Sequence, residues 1–174
     1  MLTTLLLGLL SVFWIACAIH KLADINGFNH SLKQYQWVPP INHTILLSGL
    51  IVAETISAIF VVLPALQMLG LFIACSLLLA YSVLIALNIL SGNRDFDCGC
   101  LFGNQEQRLS ASLLWRNAGI FLLHVLAVIG LQSGTPIQTS DVLTSLLFGA
   151  VTLFIGVIVQ QVIRNQSHIN ALKR

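Results

Sequence analysis

Two cysteines separated by one glycine, Cys98 and Cys100, are the residues of this chain whose type and spacing point most directly to chemistry. A disulfide between them would close a very small ring, whereas ordinary disulfides hold their Cα atoms roughly 5.5–6 Å apart. Such a ring is expected to be strained, and strain makes a disulfide easier to reduce. Gly99 is the residue best able to adopt the unusual backbone angles that the ring needs. The motif therefore predicts a reactive disulfide rather than a structural one.

The acidic residues before this pair favour different roles for the two sulfur atoms. Asp97 directly precedes Cys98, and its negative charge is expected to raise the pKa of that thiol. Cys100 would then be the attacking thiolate and Cys98 the resolving cysteine. Asp95 and Asp97 could also supply hard metal ligands, and they are at least as consistent with solvated loop charges that pair with Arg94 and Arg108.

Metal binding is a second interpretation of the same pair. In the reduced state, two neighbouring thiolates could hold a soft metal such as Cu(I) or Zn. A carrier of this kind would receive the ion at Cys98 and Cys100 and pass it through the membrane by way of Cys17 or Cys75. The simplest structural alternative is that both loop cysteines are idle thiols.

Cys17 and His20 lie three residues apart near the end of the first apolar segment, so they share one face of a helix. This end of the segment is predicted to lie on the same side of the membrane as the Cys98 and Cys100 loop. Cys17 is therefore a candidate resolving or relay cysteine, with His20 beside it. The structural alternative is that Cys17 is a small apolar residue packed between helices.

Glu54 lies near the middle of another apolar segment. A carboxyl group in hydrocarbon is costly, so it must face the bundle interior, find a partner or stay protonated. His124 lies at a comparable depth in a different segment, and the two side chains could form a proton-handling pair. Glu54 could instead join helices through hydrogen bonds, the role also expected of Tyr81 and Asn88.

The overall composition indicates what kind of secondary structure holds these residues in place. Hydrophobic residues make up 57% of the 174 residues and charged residues 8%, with a mean hydropathy of +0.91. A soluble domain usually carries about a quarter charged residues. So few charges cannot solvate a globule, but they suit helices that face lipid. A formal charge of +2, without a basic run or a stacking motif, argues against nucleic acid as a partner.

Apolar segments of about 20 residues predict five membrane crossings. The run from His43 to Leu90 is too long for one crossing, and Pro64 divides it. The predicted fold is therefore all-α, an integral membrane bundle of five transmembrane helices that forms a single transmembrane domain over residues 1–174. The helices are predicted at residues 2–20, 42–63, 65–90, 111–131 and 141–163.

Basic residues mark one side of the predicted bundle. With five crossings, the 21–42 connection, the 91–110 loop and the C-terminus share a side, and every Lys and Arg lies on or near it. The positive-inside rule places this side in the cytoplasm and the N-terminus outside. The basic residues are Lys21, Lys33, Arg94, Arg108, Arg116, Arg164, Lys173 and Arg174.

In order and spacing, the chain resembles the methylamine-utilisation protein MauE family, which belongs to a DoxX-like group of small membrane proteins. The resemblance covers roughly residues 10–130, and the Cys-Gly-Cys block is its most specific part. The residues that carry it are His20, Lys21, Asp24, Phe28, Tyr35, Pro39, Glu54, Asp97, Cys98, Gly99, Cys100, Phe102, Gly103, Leu109, Ser110, Arg116 and Asn117.

The resemblance implies a four-helix DoxX-like core with an added C-terminal helix, in the bacterial inner membrane. It also implies a thioredoxin-fold partner in the periplasm and a role in the maturation of disulfide-containing proteins. Cys98 and Cys100 would be the redox pair, while Glu54, His20 and Arg116 would be bundle positions without an assigned role. The lipid bilayer is then the second partner.

Three classes of function remain open from the sequence. The leading one is a membrane thiol–disulfide oxidoreductase or electron conduit, for which a quinone is a candidate cofactor. The alternatives are a soft-metal carrier that uses the same cysteines and a non-catalytic membrane anchor for the partner.

The side of the membrane on which the cysteine loop lies is also open. Basic residues place the loop in the cytoplasm, whereas periplasmic maturation favours the opposite side. Transfer of reducing equivalents across the membrane would reconcile the two.

Overall fold

Six α-helices and no strand make up the parts of the chain that the computed structural model describes, residues 1–35, 38, 42–93, 109–133 and 139–172. Five of the helices are long and apolar enough to cross a membrane. The all-α, five-span fold expected from the sequence is therefore confirmed. The helices are α1 (Leu2–Ala23), α2 (Ile25–Gln34), α3 (His43–Val62), α4 (Gln67–Leu90), α5 (Ala111–Gln132) and α6 (Thr139–Leu172).

Polar caps and a proline explain several helix boundaries. The Asp24 side chain accepts a hydrogen bond from a backbone N–H of α2 at 2.9 Å, and the Asn42 side chain accepts one from α3 at 3.0 Å. Pro64 lies in the short turn between α3 and α4, where its missing N–H does no harm. Two helices run past their predicted ends, α1 through Ala23 and α6 through Leu172.

Helices α1, α3, α4 and α5 pack in a ring and form a four-helix core, while α6 lies outside the ring against α1. The contact between α1 and α6 is very close. A Cβ atom on Gly149 would lie 2.7 Å from the carbonyl oxygen of Gly8. Small residues allow two helix backbones to approach in this way.

The two polar connections meet at one end of the bundle, called the loop end below. The Asn93 side chain, just after α4, donates a hydrogen bond at 2.9 Å to the carbonyl of Gln34, the last residue of α2. Leu109, just before α5, is buried and packs in the same cluster as Tyr35, just after α2. The connections that the sequence predicted on one side of the membrane therefore share an end.

Large apolar side chains cover the outside of the bundle. Phe72 is 71% exposed and Trp115 is 79% exposed, values that suit contact with lipid rather than with water. The interior contains its own apolar layers, including one in which Leu10 of α1 packs with Val61 of α3 and Leu71 of α4. The buried polar groups described next interrupt this interior.

Candidate functional site

A fully buried ion pair joins α1 to α3. The Lys21 ammonium nitrogen lies 2.7 Å from Oε1 of Glu54, and the two side chains are 5% and 0% exposed. The Tyr81 hydroxyl of α4 donates to the same carboxylate oxygen at 2.7 Å. Glu54 therefore links three helices. Its other oxygen, Oε2, is buried and has no hydrogen-bond partner among the residues that the structure describes.

Aromatic rings enclose the ammonium group. Lys21 Nζ lies 5.1 Å from the ring centroid of Phe28 in α2 and 5.4 Å from that of Tyr81. The negative faces of such rings stabilise a nearby cation. The short helix α2 therefore contributes one wall of the charged site.

Neither charge would be tolerated in this position alone. Removing an ion from water into a low-dielectric interior costs several kcal/mol even after relaxation, and that cost is offset only by a well-placed counter-ion and hydrogen bonds. Lys21 and Glu54 supply these for each other, and Tyr81 adds a donor. Because ionisable groups inside a membrane are costly, their presence is itself a reason to look for a function.

The register of α1 against α3 places Cys17 near this ion pair. Ser11 Oγ of α1 donates to the Ala58 carbonyl of α3 at 2.9 Å. Because the two helices are antiparallel, Glu54, one turn before Ala58 in α3, lies opposite the turn of α1 that follows Ser11. Helical side chains lean toward the N-terminus of their own helix. Lys21 therefore leans away from the loop end and Glu54 leans toward it. They meet beside the turn of α1 that carries Cys17.

A second buried polar contact joins α1 to α5. Trp14 Nε1 donates to His124 Nε2 at 3.1 Å, and His124 Nδ1 lies 2.8 Å from the Ile120 carbonyl oxygen. With Nε2 accepting, Nδ1 must donate, so the imidazole is neutral and both of its nitrogens are satisfied. Of the two roles that the sequence left open for Glu54, the proton-handling pair with His124 is wrong, because each side chain has separate partners. The alternative, in which Glu54 joins helices, agrees with the structure.

Buried polar contacts also anchor the start of the cysteine-bearing connection. Asn93 donates to the buried Asn88 side chain at 3.2 Å as well as to Gln34. Cys98 and Cys100 belong to the segment 94–108, which lies outside the described residues. Their predicted role as a redox pair therefore stays a prediction.

The remaining predicted site residues are distributed over three helices. Cys17 is buried on the inner face of α1, and His20, near the end of that helix, is half-buried. Cys75 of α4 and Arg116 of α5 are also half-buried. Within the described ranges, no three His, Cys, Asp or Glu side chains form a group that could hold a metal ion.

Lys21 is central to the site, although the sequence predicted no chemical role for it. Tyr81 makes an interhelical hydrogen bond, as the sequence predicted. In the sequence, Lys21 stands out as a basic residue that follows the first apolar segment and as one of the residues that carry the MauE resemblance. The spacing of residues in α1 nevertheless indicates that Lys21 lies inside the bundle. Trp14, Cys17 and Lys21 have the spacing i, i+3 and i+7, which places them on one face of a helix. An interior position for Trp14 therefore predicts an interior position for Lys21.

This fold and site define a class of small multi-pass membrane protein, in which a four-helix core holds a buried ion pair and a cysteine-bearing connection begins and ends at the loop end. The chain belongs to the family described as methylamine utilisation protein MauE, which it matches over residues 1–132. The match includes α1 to α5 and ends before α6.

Three proteins named methylamine utilization protein MauE are similar to the chain. The protein of Paracoccus denitrificans is 27% identical over 146 residues, which cover 84% of this chain and 78% of the relative. That of Paracoccus versutus is 28% identical over 142 residues, covering 82% and 76%. That of Methylorubrum extorquens is 28% identical over 120 residues, covering 69% and 64%. No solved structure matches the chain.

Proposed function

We propose that this protein is a membrane thiol–disulfide oxidoreductase, or an electron conduit, that exchanges disulfides with a thioredoxin-fold partner at the bacterial inner membrane. The exchange would serve the maturation of disulfide-containing proteins. Membership of the MauE family supports a role of the methylamine-utilisation type.

The observation that carries the proposal is the arrangement at the loop end. The segment that contains Cys98 and Cys100 begins after Asn93 and ends before Leu109. Asn93 donates a hydrogen bond to the last residue of α2, and Leu109 belongs to the apolar cluster against which Tyr35, the residue after α2, packs. The same helix contributes Phe28 to the buried ion pair. The residues that flank the proposed reactive pair thus lie near the helix that lines the buried charged site, which supports the proposal.

The proposed exchange conserves thiols and disulfides. The Cys100 thiolate attacks the partner's disulfide, so that one S–S bond forms between the proteins and the partner's own S–S bond breaks. The sulfur that leaves takes up a proton. Cys98 then attacks Cys100 in the mixed disulfide, which releases the partner as a dithiol and closes the Cys98–Cys100 ring. The reverse steps oxidise the partner, the direction that a strained ring favours.

Trapping the mixed disulfide tests this function. Cys98→Ser protein, co-expressed with the thioredoxin-fold partner, should accumulate a reducible adduct on non-reducing electrophoresis, because the resolving cysteine is gone. Cys100→Ser should form less, and the double variant none. Cys75→Ser is the matched control and should behave like the unaltered protein.

Full activity in both single variants, with no adduct in either, would contradict disulfide exchange. In that case, stoichiometric Cu(I) binding by the reduced protein would support the soft-metal carrier. Binding of the partner without exchange or metal binding would support the membrane anchor.

A further inference from the structure

A small cavity lies between helices at the end of the bundle opposite the loop end. It is lined by residues of α1, α3, α4 and α6, so the helix outside the four-helix ring closes one of its sides. Its volume, about 10 Å³ for the centre of a water-sized sphere, is the room that one water molecule needs. The lining residues are Thr4, Leu7, Val62, Gln67, Val142 and Ser145.

Gln67 brings a hydrogen-bond donor without a partner to this cavity. The residue is the first of α4 and is 6% exposed, and its amide nitrogen Nε2 has no hydrogen-bond partner among the described residues. An unpaired buried donor costs the desolvation free energy of the group, which is why native proteins rarely contain one. An acceptor that fits the cavity would remove this cost.

Two buried hydroxyl groups line the cavity from the other helices. Thr4 Oγ1 of α1 donates to the Met1 carbonyl at 2.6 Å, and Ser145 Oγ of α6 donates to the Val142 carbonyl at 2.8 Å. Each hydroxyl has a single hydrogen, which these bonds use, so each oxygen can only accept from a further partner. The cavity therefore suits a ligand that accepts from the amide and donates to the two hydroxyl oxygens.

The lining also determines the charge of the ligand. None of the six lining residues is charged, so a metal ion or an anion bound here would be buried without a counter-charge. Water is neutral, accepts hydrogen bonds at its oxygen, donates two and fits the volume. Water is therefore the chemical class of ligand that this cavity suits.

We propose that the cavity binds one ordered water molecule, which accepts a hydrogen bond from Gln67 Nε2 and donates to the hydroxyl oxygens of Thr4 and Ser145. Such a water links α4, α1 and α6 at a single point, and each of its hydrogen bonds goes to a buried group.

The water adds a polar attachment for α6. This helix lies beyond the MauE match and packs mainly against α1, where the Ser145 backbone approaches Gly8 closely. The proposed water lies beside that crossing and connects α6 to α4 as well. A buried water that satisfies otherwise unpaired groups is costly to remove.

Gln67→Met has effects of opposite sign with and without the bound water. Methionine is unbranched and similar in length to glutamine, but it has no amide. If the amide donates to the water, its loss should raise the equilibrium constant of unfolding about fivefold. If the donor is unpaired, its replacement by an apolar group should lower that constant. Denaturant unfolding of the full chain in detergent micelles measures the change, and a stabilised variant would overturn the proposal.

A double-mutant cycle tests whether Thr4 and Gln67 share the water. Thr4→Val removes the hydroxyl with little change of shape. Because either substitution weakens the same water, the double variant should have an unfolding constant about threefold smaller than the two single effects predict together.

Thr55→Val is the matched control for this cycle. The Thr55 hydroxyl also donates within its own helix, to the Ile51 carbonyl at 2.8 Å, but the residue is exposed on α3 and does not line the cavity. Its effect should therefore multiply with that of Gln67→Met without coupling. Independent effects at Thr4 and Gln67, or equal coupling at Thr55, would overturn the proposal.

Nuclear magnetic resonance detects the water in the unaltered protein. The full chain, labelled with ¹⁵N-glutamine in lipid nanodiscs, should show cross-peaks between water and the side-chain amide protons of Gln67, which are identified by their loss in Gln67→Met. A water-soluble gadolinium chelate should leave these cross-peaks in place, because the site is buried. Absence of the cross-peaks, or their quenching by the chelate, would overturn the proposal, because the amide would then have no bound water or would open to bulk solvent.

Discussion

At the scale of single residues, Lys21 and Glu54 stabilise the bundle only as a pair. Each charge is buried, and each is the other's only opposite charge within hydrogen-bond distance among the described residues. The loss of one therefore leaves an uncompensated ion, whereas the loss of both leaves an apolar contact of similar volume. The hydrogen bond from Tyr81 moderates the cost of the carboxylate but does not replace the ammonium.

Glu54→Leu should therefore lower the free energy of unfolding by about 3–5 kcal/mol, the cost of breaking a buried ion pair from one side. Adding Lys21→Met should restore most of that loss. Glu54→Gln should cost less than Glu54→Leu, since the amide oxygen can still accept from Tyr81. Denaturant unfolding in detergent micelles measures all of these values. A double variant as unstable as Glu54→Leu would contradict the energetic role of the pair.

At the scale of helices, α6 is the element attached in a different way from the others. The MauE match ends at the last residue of α5, and α6 packs on the outside of α1 rather than within the ring. Its contact depends on small residues. A Cβ atom at Gly8 would collide with the backbone carbonyl of Ser145, and one at Gly149 would lie 2.7 Å from the carbonyl oxygen of Gly8. Close backbone approach thus replaces the interlocking of large side chains.

Gly149→Leu should separate α6 from α1, because the added side chain would have to occupy the space of the α1 backbone. We expect a loss of about 1–3 kcal/mol in the free energy of unfolding, as for an overpacked core position. Gly156→Leu is the matched control on the same helix, since a Cβ atom there meets nothing within 4 Å. Its effect should stay within about 0.5 kcal/mol of zero. Equal losses in both variants would mean that this contact does not hold α6.

The sequence predicted the long helices well because each is an apolar run of membrane length, and Pro64 marks the break between two of them. The helix α2 was not predicted, since its 10 residues are mixed in polarity and too few to span. The partners of Glu54 were not predicted either. Sequence alone gives the depth of a residue in a helix, but the rotation and register of neighbouring helices decide which polar groups meet. This is why Glu54 pairs with Lys21 and not with His124.

At the scale of the whole molecule, charge is concentrated at one end. The loop end includes both polar connections, whereas the sequences that join α3 to α4 and α5 to α6, residues 63–66 and 133–138, contain no Lys or Arg. The structure changes the weight of one basic residue in this asymmetry. Lys21 is neutralised inside the bundle and contributes little to orientation. The other basic residues still lie on or near the loop end, and the positive-inside rule therefore favours a cytoplasmic location for this end.

Labelling of Cys98 and Cys100 in intact cells tests this orientation. After reduction, a membrane-impermeant thiol reagent should fail to label them from outside, and it should label them once the cells are lysed, because positively charged connections are retained in the cytoplasm. A cysteine placed at Ser133, in the turn at the opposite end, is the matched control and should be labelled in intact cells. Labelling of the loop cysteines but not of the control would reverse the orientation. The basic residues of the loop end would then be retained for the chemistry of the site, and exchange with a periplasmic partner would need no transfer across the membrane.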